Sequence, residues 1–173
     1  MVTAAVAVRD ARPEDVDKVL ALYAAVAGEG RWIGRELPMD VAAARGRIAE
    51  SVGAAGHHAT VAELTGGEPG DAAGTLVGQL HLGVEPYGVA ELGMLVAASA
   101  RGRGVGRALL EEAVAWARAE PDVHKIALQV WPHNEAARRL YESLGFEQEG
   151  YLRRHYRRRS GELWDAVVMG LPV

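Results

Sequence analysis

Cysteine is absent from all 173 residues of the chain. Its absence excludes disulfides, thiolate metal sites, iron–sulfur clusters and a cysteine nucleophile in one step. It leaves the compartment open, because a cysteine-free protein works in any redox environment. A strong charge of one sign is also missing. The formal net charge is −4, so no global basic field favours nucleic acid as a partner.

Targeting and membrane signals are missing as well. The first eight residues are apolar, but they lack a preceding basic region and meet Arg9, Asp10 and Arg12 at once, unlike a signal peptide. No run approaches the ~18–20 apolar residues of a membrane span. We therefore expect a cytoplasmic protein that does not bind a membrane. With 173 residues, 49% of them hydrophobic, we expect one domain over residues 1–173 with a sizeable core.

Hydrophobic periodicity and turn residues predict strands and helices around one mixed α/β sheet. Strands are expected at 4–9, 58–64, 75–84, 91–96, 125–131, 147–156 and 163–171. Helices are expected from Pro13 to residue 28 or 30, at 41–51 behind an Asp40 N-cap, at 105–117 and at 134–144. Residues 31–38 are expected to be irregular, and residues 66–74 to form a flexible loop.

The run at residues 91–96 is nearly continuous and apolar, which predicts a central, buried strand. Together with the following helix and the strand at 125–131, it forms a β-α-β unit. Such a unit requires a right-handed crossover and a parallel strand pair.

A glycine-rich stretch joins this strand to the next helix, and we call it the glycine turn. It consists of Arg101, Gly102, Arg103, Gly104, Val105 and Gly106. The unpaired N–H groups and the dipole of a helix start attract anions, and glycine lets a ligand approach the backbone. The two arginines add fixed charge and bidentate donors. The spacing is neither the Rossmann nor the P-loop motif. Alone, it predicts a phosphate or pyrophosphate site, or else a plain turn.

A second segment, residues 134–146, strengthens the first interpretation. Its pattern is Asn134-x-x-Ala137-x-x-Leu140-Tyr141-x-x-x-Gly145-Phe146. With Arg101-x-x-Gly104-x-Gly106 before it, the chain resembles the GNAT superfamily of acyl-CoA-dependent N-acyltransferases. The glycine turn matches the pyrophosphate-binding signature of that superfamily, and the second segment matches its other cofactor-binding segment.

The resemblance implies a fold and a cosubstrate. The expected fold is a mixed, mostly antiparallel sheet of about seven strands, splayed between the fourth and fifth and flanked by about four helices. The cosubstrate is acetyl-CoA, with no metal. Its pyrophosphate would lie on the amides of the glycine turn, and its pantetheine arm beside Met94, Leu95 and Val96, like an added strand. An amide near Leu95 would polarise the thioester carbonyl.

The resemblance also gives roles to residues of the second segment. Asn134 would hydrogen-bond the pantetheine arm, Ala137 would face the cosubstrate, and Tyr141 would protonate the leaving thiolate as general acid. From the residues alone, Asn134 is also explained as a helix N-cap, and Tyr141 as a core residue on an apolar helix face. Arg103 is a better candidate for phosphate contact than Arg107, although both are explained as charges at a helix start.

The acceptor amine must be neutral to attack a thioester. For a lysine-like amine with a pKa near 10.4, this costs about 4–5 kcal/mol at pH 7, against about 1–1.5 kcal/mol for an α-amino group near 8. Glu91 is the candidate general base, directly or through water, and its alternative is an ordinary strand-end carboxylate. Glu85, His81 and His133 are weaker candidates. The pair at 57–58 does not predict a metal site, because adjacent strand residues point to opposite faces.

Two regions are candidates for the acceptor side. Trp32, Arg35 and Glu36 lie in the irregular segment. The basic cluster spans residues 153–159. The pattern around it, Glu149-Gly-x-x-Arg153 followed by Gly161-x-x-x-Asp165-x-x-x-Met169, resembles a branch of GNATs that acetylate small amino acids, amino-acid-like antibiotics or protein N-termini. Arg153 or a neighbour would then face a substrate carboxylate. Alternatively, the cluster is a solvated strand end, or binds nucleic acid or CoA phosphate.

The leading hypothesis is therefore an N-acetyltransferase that moves an acetyl group from acetyl-CoA to a primary amine by direct attack in a ternary complex. The absence of cysteine excludes an acyl-cysteine relay. The alternative is a CoA-binding sensor or interaction domain of the same fold without catalysis, and a third hypothesis is a nucleotide-phosphate-binding enzyme of another class. Dimers are common in the superfamily, so a homodimer is a further expectation.

Overall fold

A computed structural model describes residues 5–65 and 74–173 of the chain. The predicted loop at 66–74 lies outside these residues except for its last position. The elements are β1 (Ala5–Asp10), α1 (Val16–Gly28), α2 (Val41–Ser51), β2 (His57–Thr65), β3 (Leu76–Val84), β4 (Val89–Val96), α3 (Val105–Ala119), β5 (Lys125–Val130), α4 (Glu135–Ser143), β6 (Glu147–Arg157) and β7 (Leu163–Pro172). Pro13 opens a short 3₁₀ turn before α1, and Asp40 caps α2 by accepting from the N–H of Ala43. The predicted order of elements is confirmed.

The strands form one seven-stranded sheet in the order β1-β2-β3-β4-β5-β7-β6. Every neighbouring pair is antiparallel except β4 and β5, which are parallel and are connected through α3. The mixed, mostly antiparallel sheet with four helices is therefore confirmed. No helix among the described residues is long and apolar enough to cross a membrane. One domain over residues 1–173 stays a prediction.

The sheet splits between β4 and β5. These strands pair only from Val89 opposite Lys125 to Glu91 opposite Ala127. Beyond that point β4 continues along β3, while β5 continues along β7. Since each strand follows a different neighbour, the two separate and leave a V-shaped opening, as the resemblance predicted.

The opening changes the burial of β4. This strand is central, as predicted, but only Ala90 and Leu95 are buried within it. The prediction of a buried strand is wrong for most of its length, because its second half lines the opening rather than pairing with β5. A continuous apolar run in this chain therefore marks a wall of a binding cleft as well as part of the core.

The two faces of β4 meet different elements. Leu95 packs with Leu22 and Val26 of α1, and Glu91 and Gly93 share its face because side chains alternate along a strand. Met94 lies on the other face, where its Cε is 3.6 Å from where a Cβ at Gly106 would be. The strand thus separates the side that carries the glycine turn from the side that carries α1 and α2.

Candidate functional site

The glycine turn gives α3 an open N-terminus. Gly104 is the N-cap of α3 with φ 84°, and no side chain caps the helix there. Gly102 also has a positive φ, 73°. A Cβ on either glycine would meet no atom of the described residues within 4 Å. The backbone of the turn therefore borders open space at a helix N-terminus, which is the geometry of an anion-binding site.

A cavity of about 400 Å³ extends from the glycine turn into the opening beside β4. We call it the donor cleft. Its lining includes every predicted cofactor-binding residue except Arg103, which is half-buried nearby. The lining residues are Val26, Trp32, Ile33, Met94, Leu95, Val96, Ala100, Arg101, Gly102, Gly104, Val105, Gly106, Arg107, Asn134, Ala136, Ala137, Leu140 and Tyr141. Two motifs separated in sequence thus border one cleft.

Coenzyme A fits this cleft on two observations. The space over Gly102 and Gly104 is open where side chains would otherwise stand. The edge of β4 that faces β5 has no strand partner beyond Glu91, so its backbone groups are available to an extended ligand. The glycine turn, β4 and α4 would hold the pyrophosphate and the pantetheine arm.

Asn134 serves as the N-cap of α4. Its side-chain oxygen accepts from the N–H of Ala137 at 3.3 Å, so the capping alternative is confirmed. Its amide NH₂ group is the part left for a ligand in the donor cleft. The capping bond fixes the side chain at the wall of the cleft, where both roles are compatible.

Tyr141 belongs both to the core and to the cleft. It is 6% exposed, and its ring centroid lies 5.7 Å from that of Phe146. Burial raises the pKa of Tyr141 to about 12, so the phenol is protonated at neutral pH. None of the hydrogen bonds of the described residues involves its hydroxyl group. The hydroxyl group is therefore available as a donor toward the cleft.

The guanidinium of Arg101 is engaged by Glu29. It donates two hydrogen bonds to that carboxylate, at 2.7 and 2.6 Å, and its Nε donates to the carbonyl of Val96 at 3.2 Å. The Trp32 indole N–H donates to the same carboxylate at 2.6 Å. Hydrogen bonding from Arg101 lowers the pKa of Glu29. Arg101 lines the donor cleft, so its role in cofactor binding stays a prediction, but its charge is paired with Glu29. This pairing ties the segment after α1 to the end of β4.

Arg107 lies closer to the cleft than expected. It lines the donor cleft, and its guanidinium donates to the Ser143 hydroxyl at 2.8 Å. The preference for Arg103 as the phosphate contact is therefore not supported by the lining. Because Arg107 bridges α3 to α4, it holds together the two segments that border the cleft.

Glu91 stands at the apex of the opening. It is exposed, it is the last residue of β4 paired with β5, and it shares the face of Gly93. It does not line the donor cleft. His81 lies over Gly93, where a Cβ would be 3.0 Å from its Nδ1. Burial lowers the pKa of His81, and the charge of nearby His57 lowers it further. The imidazole of His81 is therefore neutral at pH 7. Both side chains are on the side of β4 that carries α1 and α2.

The other proposed bases lie elsewhere. Glu85 is exposed in the turn between β3 and β4. His133 is also exposed, and its Nε2 lies 3.0 Å from the carbonyl of Arg31. The ring centroid of His133 lies 6.3 Å from that of Trp32, which lines the donor cleft, so the choice among these bases stays a prediction.

The basic cluster contains a buried arginine that the sequence did not distinguish. Arg158 is 4% exposed and donates to the carbonyls of Gly30, Ile33 and Gly34 at 3.2–3.3 Å. It also lies 3.4 Å from a carboxylate oxygen of Glu36. The interpretation of the whole cluster as solvated is wrong at this position. Arg158 fixes the irregular segment between α1 and α2.

Arg153 has the position of a surface residue. It is exposed within an irregularity of β6 between Leu152 and Tyr156, and it lines neither the donor cleft nor the second cavity described below. The neighbouring Arg154 has φ 51° and donates its N–H to Asp165 at 2.6 Å. The predicted contact between Arg153 and a substrate carboxylate therefore gains no support from its placement.

Arg158→Met should loosen the irregular segment. Leaving three carbonyls and Glu36 without this donor should lower the free energy of unfolding by about 2–3 kcal/mol. We expect a raised KM for the acceptor and an unchanged dissociation constant for acetyl-CoA, measured by steady-state kinetics and calorimetry. The matched control is Arg157→Met, an exposed position next to it on β6. Equal effects of the two variants would contradict the positioning role.

Asp10, His58 and Glu112 form a separate group away from the cleft. One potential ligand atom from each lies within 4.8 Å of the others. The Nε2 of His58 is 2.9 Å from Glu112, and its ring stacks on Trp116 at 4.5 Å between centroids. The contact with Glu112 accounts for the position of His58 without an ion. The absence of a bound metal stays a prediction.

Comparison with known sequences decides the family. The family model described as "Acetyltransferase (GNAT) family" matches residues 29–146. The chain belongs to the GNAT family. The match includes both segments that border the donor cleft, and it begins at Glu29, the partner of Arg101.

Individual GNAT relatives are similar over part of the chain or all of it. The chain is 41% identical over 90 residues to the N-alpha-acetyltransferase RimI of Mycobacterium tuberculosis, over 49% of this chain and 53% of that protein. It is 41% identical over 71 residues to the ribosomal protein bS18-alanine N-acetyltransferase of Escherichia coli K12, over 41% and 47%. Each match thus spans about half of the relative's length.

A solved structure is similar over nearly the whole chain. The ribosomal-protein-alanine N-acetyltransferase from Brucella melitensis superposes with a TM-score of 0.80 at 28% identity, over 96% of this chain and 99% of that one. The GNAT fold therefore extends beyond the residues that carry the motifs.

Proposed function

We propose that this GNAT protein transfers an acetyl group from acetyl-CoA to a primary amine by direct attack in a ternary complex. The observation that carries the proposal is the donor cleft. An open helix N-terminus, an unpaired strand edge and a protonated Tyr141 all border this one cavity. When bound, acetyl-CoA supplies the acetyl thioester.

Backbone groups of the chain would provide most of the contacts to acetyl-CoA. The N–H groups of the glycine turn would hold the pyrophosphate, since Arg101 is occupied by Glu29. The free edge of β4 would pair with the pantetheine arm, and an amide near Leu95 would donate to the thioester carbonyl. These donors are fixed before substrate arrives, so little reorganisation is required.

Tyr141 would act on the leaving sulfur. Thiols titrate near 8.5, so full transfer from a phenol with a pKa of about 12 is uphill by about 3–4 units. Desolvation of the sulfur raises the pKa of its thiol and narrows that gap. The hydroxyl group therefore donates a hydrogen bond as negative charge develops, and its proton moves late.

The acceptor is proposed to carry an α-amino group. Two relatives are named for N-alpha or alanine acetylation, and the low cost of neutralising an α-amine suits a site with an exposed base. Glu91 remains the proposed base, acting through water from the apex of the opening. His81 is the alternative, because it is neutral and lies over Gly93.

An acceptor screen tests this function. Since the chain has no cysteine, a thiol reagent reports only the CoA released during transfer. The panel compares free amino acids, peptides with free N-termini, polyamines, aminoglycosides and phosphinothricin-like amines. We expect kcat/KM for α-amines at least tenfold above that for polyamines. Binding of acetyl-CoA with no release for any amine would favour the non-catalytic CoA-binding alternative.

A homodimer and a cytoplasmic location also remain proposals. Both rest on the resemblance or on the sequence rather than on the described residues. Size-exclusion chromatography with light scattering measures the first, and localisation of a tagged chain measures the second.

A further inference from the structure

A second cavity lies on the face of the sheet that carries α1 and α2. Its volume is about 140 Å³, and we call it the α2 cavity. It is enclosed by α1, the irregular segment, α2 and β3. The lining residues are Tyr23, Arg35, Met39, Ala44, Arg47, Ile48, Ser51, Gln79 and His81. This volume is large enough to admit a small polar group such as a carboxylate.

The charge of this lining is positive and uncompensated. No acidic residue within 5–65 or 74–173 lines the cavity. Arg35 and Arg47 are exposed, and neither forms an ion pair within the described residues. Arg45 of the same helix differs, because its Nε lies 2.7 Å from Asp17. The guanidinium of Arg35 lies 5.8 Å from the centroid of the Tyr23 ring, but neither arginine has a carboxylate partner among the described residues. Both therefore favour an anionic group, and their forked donors suit a carboxylate.

A buried amide at the floor of the cavity also lacks a partner. Gln79 is 5% exposed, and its Oε1 has no hydrogen-bond partner among the described residues. Leaving such a group unsatisfied is costly unless something else binds it. The unpartnered atom is an acceptor, so binding of an anion requires the amide to be turned by about 180°, which brings its NH₂ donors to that position.

The α2 cavity lies next to the part of β4 that borders the donor cleft. Gln79 is opposite Leu95 in the sheet, and Leu95 lines the donor cleft. His81 is opposite Gly93, over which its ring lies. Neighbouring strands are about 4.8 Å apart, so a group in the α2 cavity lies one strand away from β4.

We propose that the α2 cavity binds a carboxylate of the acyl acceptor, so that the acceptor is a carboxylate-bearing amine. Arg35 and Arg47 hold the carboxylate, Gln79 donates to it, and the amine points toward Gly93. This inference rests on the proposed acetyl transfer. The carboxylate is the side-chain carboxylate either of a free acidic amino acid or of an acidic residue near a peptide N-terminus.

Matched acceptors test the inference. Glutamate is compared with glutamine, and a peptide beginning Ala-Glu with one beginning Ala-Gln, with kcat/KM measured by CoA release. We expect the carboxylate member of at least one pair to have a kcat/KM at least tenfold higher than its partner, and the pair that shows this identifies the source of the carboxylate.

Two variants of the cavity lining test the same preference. In Arg35→Met and Arg47→Met the ratio of the two kcat/KM values should fall toward one, mainly through KM. Arg45→Met is the matched control and should keep the preference. A ratio near one for both pairs in the wild type, or an unchanged ratio in both lining variants, would overturn the inference.

Gln79→Leu separates binding from structure. Replacing an unsatisfied buried amide with an apolar side chain of similar size should maintain or raise the melting temperature while the carboxylate preference falls. A merely structural residue would lose stability without changing the preference. A preference unchanged in this variant would exclude Gln79 from the carboxylate site.

Glutarate tests the cavity without acyl transfer. Calorimetric titration should detect glutarate but not glutaramide, and Arg47→Met should weaken binding at least tenfold. If no amine is acetylated but glutarate binds, the proposed function fails and the anion site stands. If amines are acetylated but glutarate neither binds nor competes with the acceptor, the inference fails alone.

Discussion

Tyr141→Phe is expected to lower kcat about 100-fold while leaving the dissociation constant of acetyl-CoA nearly unchanged. The phenyl ring keeps its packing against Phe146, so the wall of the donor cleft is retained. Only the hydroxyl group is lost. Because that group takes part in no hydrogen bond of the described residues, its removal should not destabilise the fold. Steady-state kinetics and calorimetry measure the two quantities separately.

The control for this variant is Tyr87→Phe. Tyr87 is 67% exposed in the turn between β3 and β4, away from the donor cleft. It should leave kcat unchanged. Wild-type turnover in Tyr141→Phe would show that Tyr141 is a core residue only. An equal loss in turnover and in acetyl-CoA affinity would indicate a binding role instead of an acid.

Gly104→Val is expected to weaken acetyl-CoA binding by about 10- to 100-fold. The new side chain occupies open space at the N-terminus of α3, where the anion would lie. Loss of one or two hydrogen bonds to a charged group is worth about 1.5–3 kcal/mol, and each 1.4 kcal/mol is tenfold in affinity. The measurement is calorimetric titration with acetyl-CoA.

A backbone effect must be separated from this steric one. A β-branched residue at φ 84° is strained by about 1–3 kcal/mol, which lowers stability. Gly53→Val imposes similar strain, because Gly53 has φ 73° and nothing within 4 Å of its Cβ position. It follows α2, away from the donor cleft. Similar losses of stability with a loss of affinity only in Gly104→Val would confirm the site. Unchanged affinity in Gly104→Val would contradict it.

The starts of the helices could be predicted from the sequence. Proline and aspartate at the starts of α1 and α2, and glycine before α3, act through backbone preferences of a few neighbouring residues. The donor cleft was expected from the resemblance to the GNAT superfamily, and the two motifs that carry that resemblance lie on such local elements. The parallel pairing of β4 and β5 followed from their connection through one helix.

Contacts between residues that are far apart in the sequence could not be predicted from it. Arg158 lies among five arginines of the basic cluster, and only the β6–β7 hairpin brings it to the carbonyls after α1. Arg101 pairs with Glu29, a residue far earlier in the chain. The apolar run of β4 gives no sign that the sheet splits beside it. The α2 cavity combines residues of four elements, none of which forms a motif alone.

The most direct test of the account is the melting temperature of the protein with acetyl-CoA, with NAD as the comparison ligand. A ligand at 100 times its dissociation constant stabilises the native state by about 2.7 kcal/mol. For a chain of this size that is about 5–10 °C. We expect this rise at sub-millimolar acetyl-CoA and none with NAD. No shift with acetyl-CoA, or equal shifts with both ligands, would contradict a donor cleft built for coenzyme A.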